Sequence, residues 1–233
     1  RVAKTKFSLG RRTLSELYER PDQTTSKHLH QMGFSPTIIN AFFRPFLGGV
    51  YLERDLETSS RKFDFVFKMF SEGDVSVPAK GMAEIPKQLA SRIPKDKLRL
   101  SHAVQSVSGS EVTLLNGEDL KAEAVVLALP DPTAAQLLGR PPQQVESFHG
   151  VTCMYFAADE APMKENILFL DGDDDGPINN LSFPSEVSSA YAPAGKALVS
   201  CSILGTGHLE LEANVRQHLQ RWFGPRAESW QHL

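Results

Sequence analysis

Pro78-Ala79-Lys80-Gly81-Met82-Ala83-Glu84-Ile85-Pro86-Lys87-Gln88-Leu89 is where the grammar of this sequence changes. Gly81 precedes Met82 to Ala90, a run with proline placed early, where its missing N–H is tolerated, so the run reads as a helix. Upstream, apolar residues recur at helical spacing. Downstream, short alternating or continuous apolar runs are separated by turn residues, which is the pattern of strands.

Working back toward the start, Thr13-Leu14-Ser15-Glu16 is a capping box that opens a short helix ending near Pro21. Ser26 caps a second short helix, stopped by Gly33. Ser35-Pro36 opens a third, which carries Ile38, Ile39, Phe42 and Phe43 and breaks at Pro45. Gly48-Gly49 marks a turn or a close approach of backbone. Thr58, Ser59 or Ser60 opens a longer helix through Glu72, closed by Gly73. Its Phe63, Val66, Phe67 and Phe70 share one face.

Working forward, Val75 to Pro78 is a short extended piece. Strands are expected at Leu98–Leu100, Ala103–Val107 and Val112–Leu115, with Asn116-Gly117 supplying a type I′ hairpin turn into a return strand. Ala124-Val125-Val126-Leu127-Ala128-Leu129 is a continuous apolar run before Pro130-Asp131-Pro132 and reads as a buried parallel strand. Pro141-Pro142 marks a joint. Further strands are expected at Gly150–Ala157, Ile167–Leu170 and Leu181–Phe183, then a hairpin of Val187–Ala190 and Lys196–Leu204 around Tyr191–Gly195. Leu209, Leu211, Val215, Leu219 and Trp222 fall on a last helix stopped at Gly224-Pro225. The fold class is α+β.

Composition narrows the function classes. At 233 residues the chain makes one large domain or two small ones. With 41% apolar and 23% charged residues it is neither disordered nor collagen-like. Twenty-five basic against 28 acidic residues leave no broad basic field to hold nucleic acid. The longest apolar runs fall far short of the ~18 residues of a membrane helix. Cys153 and Cys201 read as two buried free thiols rather than a disulfide scaffold. The chain begins at Arg1, without an initiator Met, and ends at Leu233 just beyond a helical segment, so it reads as a piece of a longer protein.

The chemistry-bearing signals are sparse. Asp171, Asp173, Asp175 and Gly176 match the first positions of a calcium loop. Ser182 stands where that loop needs a bidentate Glu, so a solvated acidic turn is preferred and no metal is expected. His28 and His30 face different sides of a helix. His102, His149, His208, His218 and His232 have no partner at ligand spacing and read as surface or cap residues. Asn180-Leu181-Ser182 fits the glycosylation pattern by chance. Gly-x-Ser-x-Gly, P-loop, His-Glu-x-x-His and Gly-x-Gly-x-x-Gly patterns are all missing. On the residues alone, this is a mixed α and β chain whose function is not legible.

One ordered set of segments goes further. The stretch Pro78 to Leu89 resembles the Pro-x-Gly-Gly-Met-x-x-Leu/Ile-x-x-x-Leu segment of the flavin-containing amine oxidase superfamily, with Lys80 standing in for its first glycine. Leu98-Arg99-Leu100, Ala103-Val104-Gln105-Ser106-Val107, Val112-Thr113-Leu114, the Gly117 turn and Ala124 to Pro130 follow in that family's order. Phe42-Phe43-Arg44-Pro45-Phe46-Leu47-Gly48-Gly49-Val50-Tyr51 resembles the carotenoid-desaturase branch, phytoene desaturase and its relatives. Tyr191 to Val199, Trp222-Phe223-Gly224 and Trp230 are similar to the substrate-domain hairpin and the segment after it.

The resemblance implies a FAD-dependent oxidoreductase whose two flavin-binding ends lie outside this chain. Residues 1–77 would then be the helical part of a substrate-binding domain, 78–140 an excursion into the FAD-binding domain (helix, β-meander and buried strand), and 141–233 the part of the substrate domain carrying a mixed sheet. Carried over by position, Val104 would meet the adenine, and Ala128, Leu129 and Pro130 would lie beside the adenosine. The competing reading makes Val104 and Leu129 ordinary core strand residues. Phe42, Phe43, Arg44, Phe46 and Tyr51 would line a substrate mouth, with ordinary helix packing claiming at least half of them. The substrate would be a small apolar molecule or an amine, oxidised by hydride transfer to the flavin. The chain alone would be inactive, would hold FAD weakly or not at all, and would self-associate through apolar surface. A cytoplasmic location with room for peripheral membrane contact follows. The alternative is a non-catalytic binding or interaction module derived from the same fold.

Overall fold

Residues 9–141 and 148–233 are described by the structure, a computed structural model. They divide into two compact units, Arg1–Glu84 with His149–Leu233, and Ile85–Phe148. Of the expected Pro141-Pro142 joint, Pro142 lies outside the described residues.

The first unit begins with helices set by their caps. The capping box forms as read: Thr13 Oγ1 accepts from the Glu16 N–H, and the Glu16 carboxylate accepts from the Thr13 N–H at 2.6 Å, opening α1 (Leu14–Tyr18). In α2 (Thr25–Gln31) the cap is Thr24 rather than Ser26, because Thr24 is the extended residue whose hydroxyl reaches the Lys27 N–H, at 3.2 Å. Gly33, at φ 77°, ends it with the Phe34 N–H bonded to the Leu29 carbonyl and its own N–H to His30.

Ser35 caps α3 (Pro36–Ile38). The chain does not break at Pro45. A π turn over Ile39–Phe43 carries it into α4 (Arg44–Tyr51), with the Arg44 N–H reaching five residues back to Ile39. The extra residue in that turn accommodates the proline ring, which an unbroken α-helix would not. Gly48 and Gly49 therefore sit inside a helix, and of the two expected roles only close approach holds. A Cβ on Gly49 would lie 2.9 Å from Asn180 Oδ1, and one on Gly48 3.2 Å from Asn179 Oδ1. That lets Asn179 Nδ2 donate to the Pro45 carbonyl at 2.9 Å, fastening α4 to the sheet. Helix α5 (Ser60–Glu72), capped by Ser59, closes a core of Leu29, Ile39, Phe43, Leu47, Leu56 and Phe63.

The second unit holds α6 (Glu84–Ala90), a three-stranded antiparallel meander and a short helix. The strands are β1 (Val104–Ser108), β2 (Glu111–Leu114) and β3 (Asp119–Lys121), in that spatial order. Leu98–Leu100 form no strand. The Asn116-Gly117 turn is present, but only Gly117 has positive φ, so it is not type I′. The Gly117 N–H bonds back to the Leu114 carbonyl instead. Ala124–Leu129 correct the expectation of a buried parallel strand: they run as irregular backbone, with Val126 88% and Leu129 45% exposed. A parallel strand needs neighbours along its edges, and among the described residues none pairs with this run. After it, Pro130 precedes α7 (Asp131–Leu137).

The first unit resumes with a five-stranded sheet in the order β5-β6-β7-β4-β8. Its strands are β4 (Val151–Ala158), β5 (Leu168–Leu170), β6 (Asn180–Ser182), β7 (Ala197–Leu204) and β8 (Gln231–His232). Every pairing is antiparallel, which corrects the expectation of a mixed sheet. Val187–Ala190 are not a strand. Pro184 starts α8 (Pro184–Val187), and the Ser188 hydroxyl then caps a 3-10 turn. Helix α9 (Leu211–Phe223) lays Val215 and Leu219 on the inner sheet face against Phe156, Leu181, Val199, Cys201 and Ile203. Cys201 faces this core and Cys153 faces outward, so both thiols are free but only Cys201 is buried.

Candidate functional site

In the second unit, a cleft of 570 Å³ is walled by Val104, Val107 and Val112 of the meander, by Val125 to Leu129, and by Thr133 and Leu137 of α7. Val104, Ala128 and Leu129, expected beside a nucleotide, line this one cleft. Pro130 is the residue before α7. Val104 is 36% exposed, so it is not a core strand residue. The walls are aliphatic and the polar side chains few. His102, read from the sequence as a surface or cap histidine, is exposed and lines the cleft. Its Nδ1–H donates to the Leu100 carbonyl at 2.7 Å.

The expected substrate-facing residues separate. Phe43 is fully buried, packed on Phe34, Phe42 and Phe63. Tyr51 is 7% exposed, and burial pushes its phenol well above the ordinary value. Both are core residues, which corrects their place at a mouth. Arg44 donates to the Arg54 carbonyl at 2.6 Å and ties down the following loop. Phe42 and Phe46 remain on an open face, stacked at 5.4 Å, with Phe70 tilted against Phe46. Val50, Phe65, Met69, Phe70 and Val75 line a 430 Å³ apolar cleft on the same helices.

A further surface was not read from the sequence. On the sheet face away from α9, two rows of small polar side chains run across β6, β7 and β4: Asn180, Ser202 and Cys153, then Ser182, Ser200 and Tyr155. The signal was available in Ala197–Leu204, where Ala, Val, Cys and Ile alternate with Leu, Ser, Ser and Leu.

The acidic turn also holds more than expected. His218 is fully buried, not a surface or cap residue, and its Nε2 lies 3.6 Å from Asp175 Oδ1, with Asp171 beside them. His218 Nδ1 accepts from the Ile178 N–H at 3.3 Å, so in the neutral ring the proton sits on Nε2 and leaves no lone pair there for a cation. Desolvation, with Arg221 adding to it, lowers the His218 pKa below its ordinary 6.5, against an opposing pull from Asp171 and Asp175. The fold thus favours the neutral ring. Stability should be unaffected at alkaline pH and fall once the unfolded chain begins to take up that proton, below about 6.5. Urea midpoints measured at about pH 8 and about pH 5 should drop toward acid, and His218→Asn, which keeps an acceptor near Nδ1, should flatten that drop. An equal drop in the variant would assign the acid sensitivity elsewhere.

The sequence profile of the family described as flavin containing amine oxidoreductase matches residues 1–232. No curated protein sequence matches the chain. Among solved structures, a protein from Pyrococcus furiosus is similar with a TM-score of 0.76 at 13% identity, over 99% of this chain and 62% of its own. An oxidoreductase from Methanosarcina mazei is similar with a TM-score of 0.75 at 17% identity, over 99% of this chain and 59% of its own. Reduced UDP-galactopyranose mutase is similar with a TM-score of 0.64 at 12% identity, over 89% of this chain and 54% of its own. These likenesses are of fold, and the chain spans less than two thirds of each structure's length.

Proposed function

The chain belongs to the flavin containing amine oxidoreductase family, and on that premise we propose that it forms the central, mainly substrate-binding part of a FAD-dependent oxidoreductase. The excursion into the flavin domain, residues 78–140, falls largely in the unit of Ile85–Phe148. The helices and five-stranded sheet of the other unit hold the substrate. The observation that carries this reading is the convergence of Val104, Ala128 and Leu129 on one aliphatic cleft.

That cleft fits the adenosine end of FAD. Its walls are apolar and carry few side-chain charges, so a purine ring is held by dispersion and by backbone polar groups. Bound flavin would supply the hydride-accepting chemistry. The residues of this chain would orient the substrate and keep water from it. Phe42, Phe46 and Phe70 present an apolar aromatic face to a hydrocarbon or an apolar amine. Among the described residues no helix is long and apolar enough to cross a membrane. We place the protein in the cytoplasm, with such an apolar face available to a membrane surface.

The run Ala124–Leu129, irregular here, would pair as a strand in the rest of the flavin domain. Chain alone should therefore purify colourless and catalytically silent. The longer protein containing it should purify yellow, with flavin absorbance that survives dialysis. A longer protein that stays colourless after reconstitution with FAD would overturn the reading.

A further inference from the structure

His102 is presented to the 570 Å³ cleft by a local device. Ser101 adopts the left-handed conformation at φ 60°, which a serine enters only at a steric cost. That turn brings the His102 ring back onto its own backbone, and Nδ1 lies 2.7 Å from the Leu100 carbonyl. A carbonyl accepts only, so Nδ1 carries the proton. Nε2 is then left with a lone pair on an exposed ring that lines the cleft. With Thr133 the other polar side chain of the lining, an acceptor placed in an otherwise aliphatic cleft biases which ligand edge is accepted.

We propose that His102 is a specificity-determining residue of this cleft, accepting a hydrogen bond from an amino-purine through Nε2 and disfavouring a purine that presents a carbonyl there. The inference rests on the reading of the cleft as the adenosine site. An exocyclic amine donates to the lone pair. A keto oxygen in its place sets acceptor against acceptor and forfeits that bond. The difference should be about fivefold in affinity, the scale of one neutral hydrogen bond.

The test uses the longer protein containing this chain, freed of flavin, titrated separately with adenosine 5′-monophosphate and inosine 5′-monophosphate and followed by NMR of the His102 ring nitrogens and of the Val104 and Leu129 methyls. The expected result is movement of those methyls with both nucleotides, tighter binding of the adenine form by about fivefold, and a shift of Nε2 with that form alone. His102→Leu should retain the methyl shifts and erase the preference, and His102→Gln, which can place an acceptor near Nε2, should restore part of it. Equal affinity for the two nucleotides in the unaltered chain, or a preference that survives in His102→Leu, overturns the role of His102 while the adenosine site stands. If neither nucleotide moves the cleft methyls, the adenosine reading falls and this inference with it.

Discussion

Gly176→Ala should cost the fold about 3 kcal/mol, the upper end for forced overpacking. A Cβ at this position would overlap the His218 imidazole, lying 2.5 Å from its Cγ and 2.6 Å from Cε1. The ring has no room to retreat. It is fully buried, its edge is set against Trp222 with centroids 4.3 Å apart, and its Nδ1 holds the Ile178 N–H. Gly176 does not take a positive φ, so the requirement for glycine is close approach rather than backbone conformation. Gly73→Ala is the control, since nothing lies within 4 Å of a Cβ there. Chemical denaturation of the two variants should show a large loss for Gly176→Ala and almost none for Gly73→Ala. Equal midpoints would mean that the acidic turn is held less tightly on α9 than the ring contacts imply.

The same turn shows what the sequence could and could not say. The run Asp171 to Gly176 reads as a calcium-loop fragment only because its spacing is judged without its neighbours. Its real partner is His218, more than forty positions later, and no local pattern joins the two. Caps behave differently, because their physics is local. Thr13 with Glu16, Ser35 with Pro36 and Ser59 before α5 all work within three residues, and the structure uses each of them. Pro45 marks the limit of that locality. Proline interrupts the hydrogen-bond ladder, but whether the chain stops or absorbs it in a π turn depends on what holds both sides. Here Asn179 reaches across from the sheet to the Pro45 carbonyl, and the two glycines let it come close.

The nucleotide role proposed for the cleft of the second unit comes from the sequence only through a resemblance. Val104, Ala128 and Leu129 are aliphatic residues with no chemical signature of their own, and a site that works through walls and backbone leaves none to read. His102 was legible in type but not in role. Its meaning comes from the left-handed turn at Ser101 and the bond to Leu100, neither of which a spacing rule anticipates. Ala124–Leu129 were legible in composition, since a continuous apolar run asks for burial. Among the described residues no strand pairs with the run, and Val126 and Leu129 stand exposed.

Phe43→Ala should destabilise the chain by about 3–5 kcal/mol, whereas its neighbour Phe42→Ala should cost about 1 kcal/mol. The two residues are adjacent in sequence and chemically identical, and the π turn sends them to different environments. Phe43 is fully enclosed, with ring centroids at 4.8 Å from Phe34 and 6.1 Å from Phe63, and truncation would leave a cavity that three surrounding rings cannot close. Phe42 is 38% exposed and loses mainly its stack on Phe46. In the longer protein the order of effects should reverse for function: Phe42→Ala should raise KM for an apolar substrate, while Phe43→Ala should act through the amount of folded protein. Denaturation midpoints and KM measured on both variants decide the matter. Comparable destabilisation by the two would return Phe42 to the core, and a raised KM with unchanged stability for Phe43→Ala would place that ring at the mouth after all. Either outcome would move the proposed substrate face, because Phe42, Phe46 and Phe70 can form one only if Phe42 is free to meet a ligand.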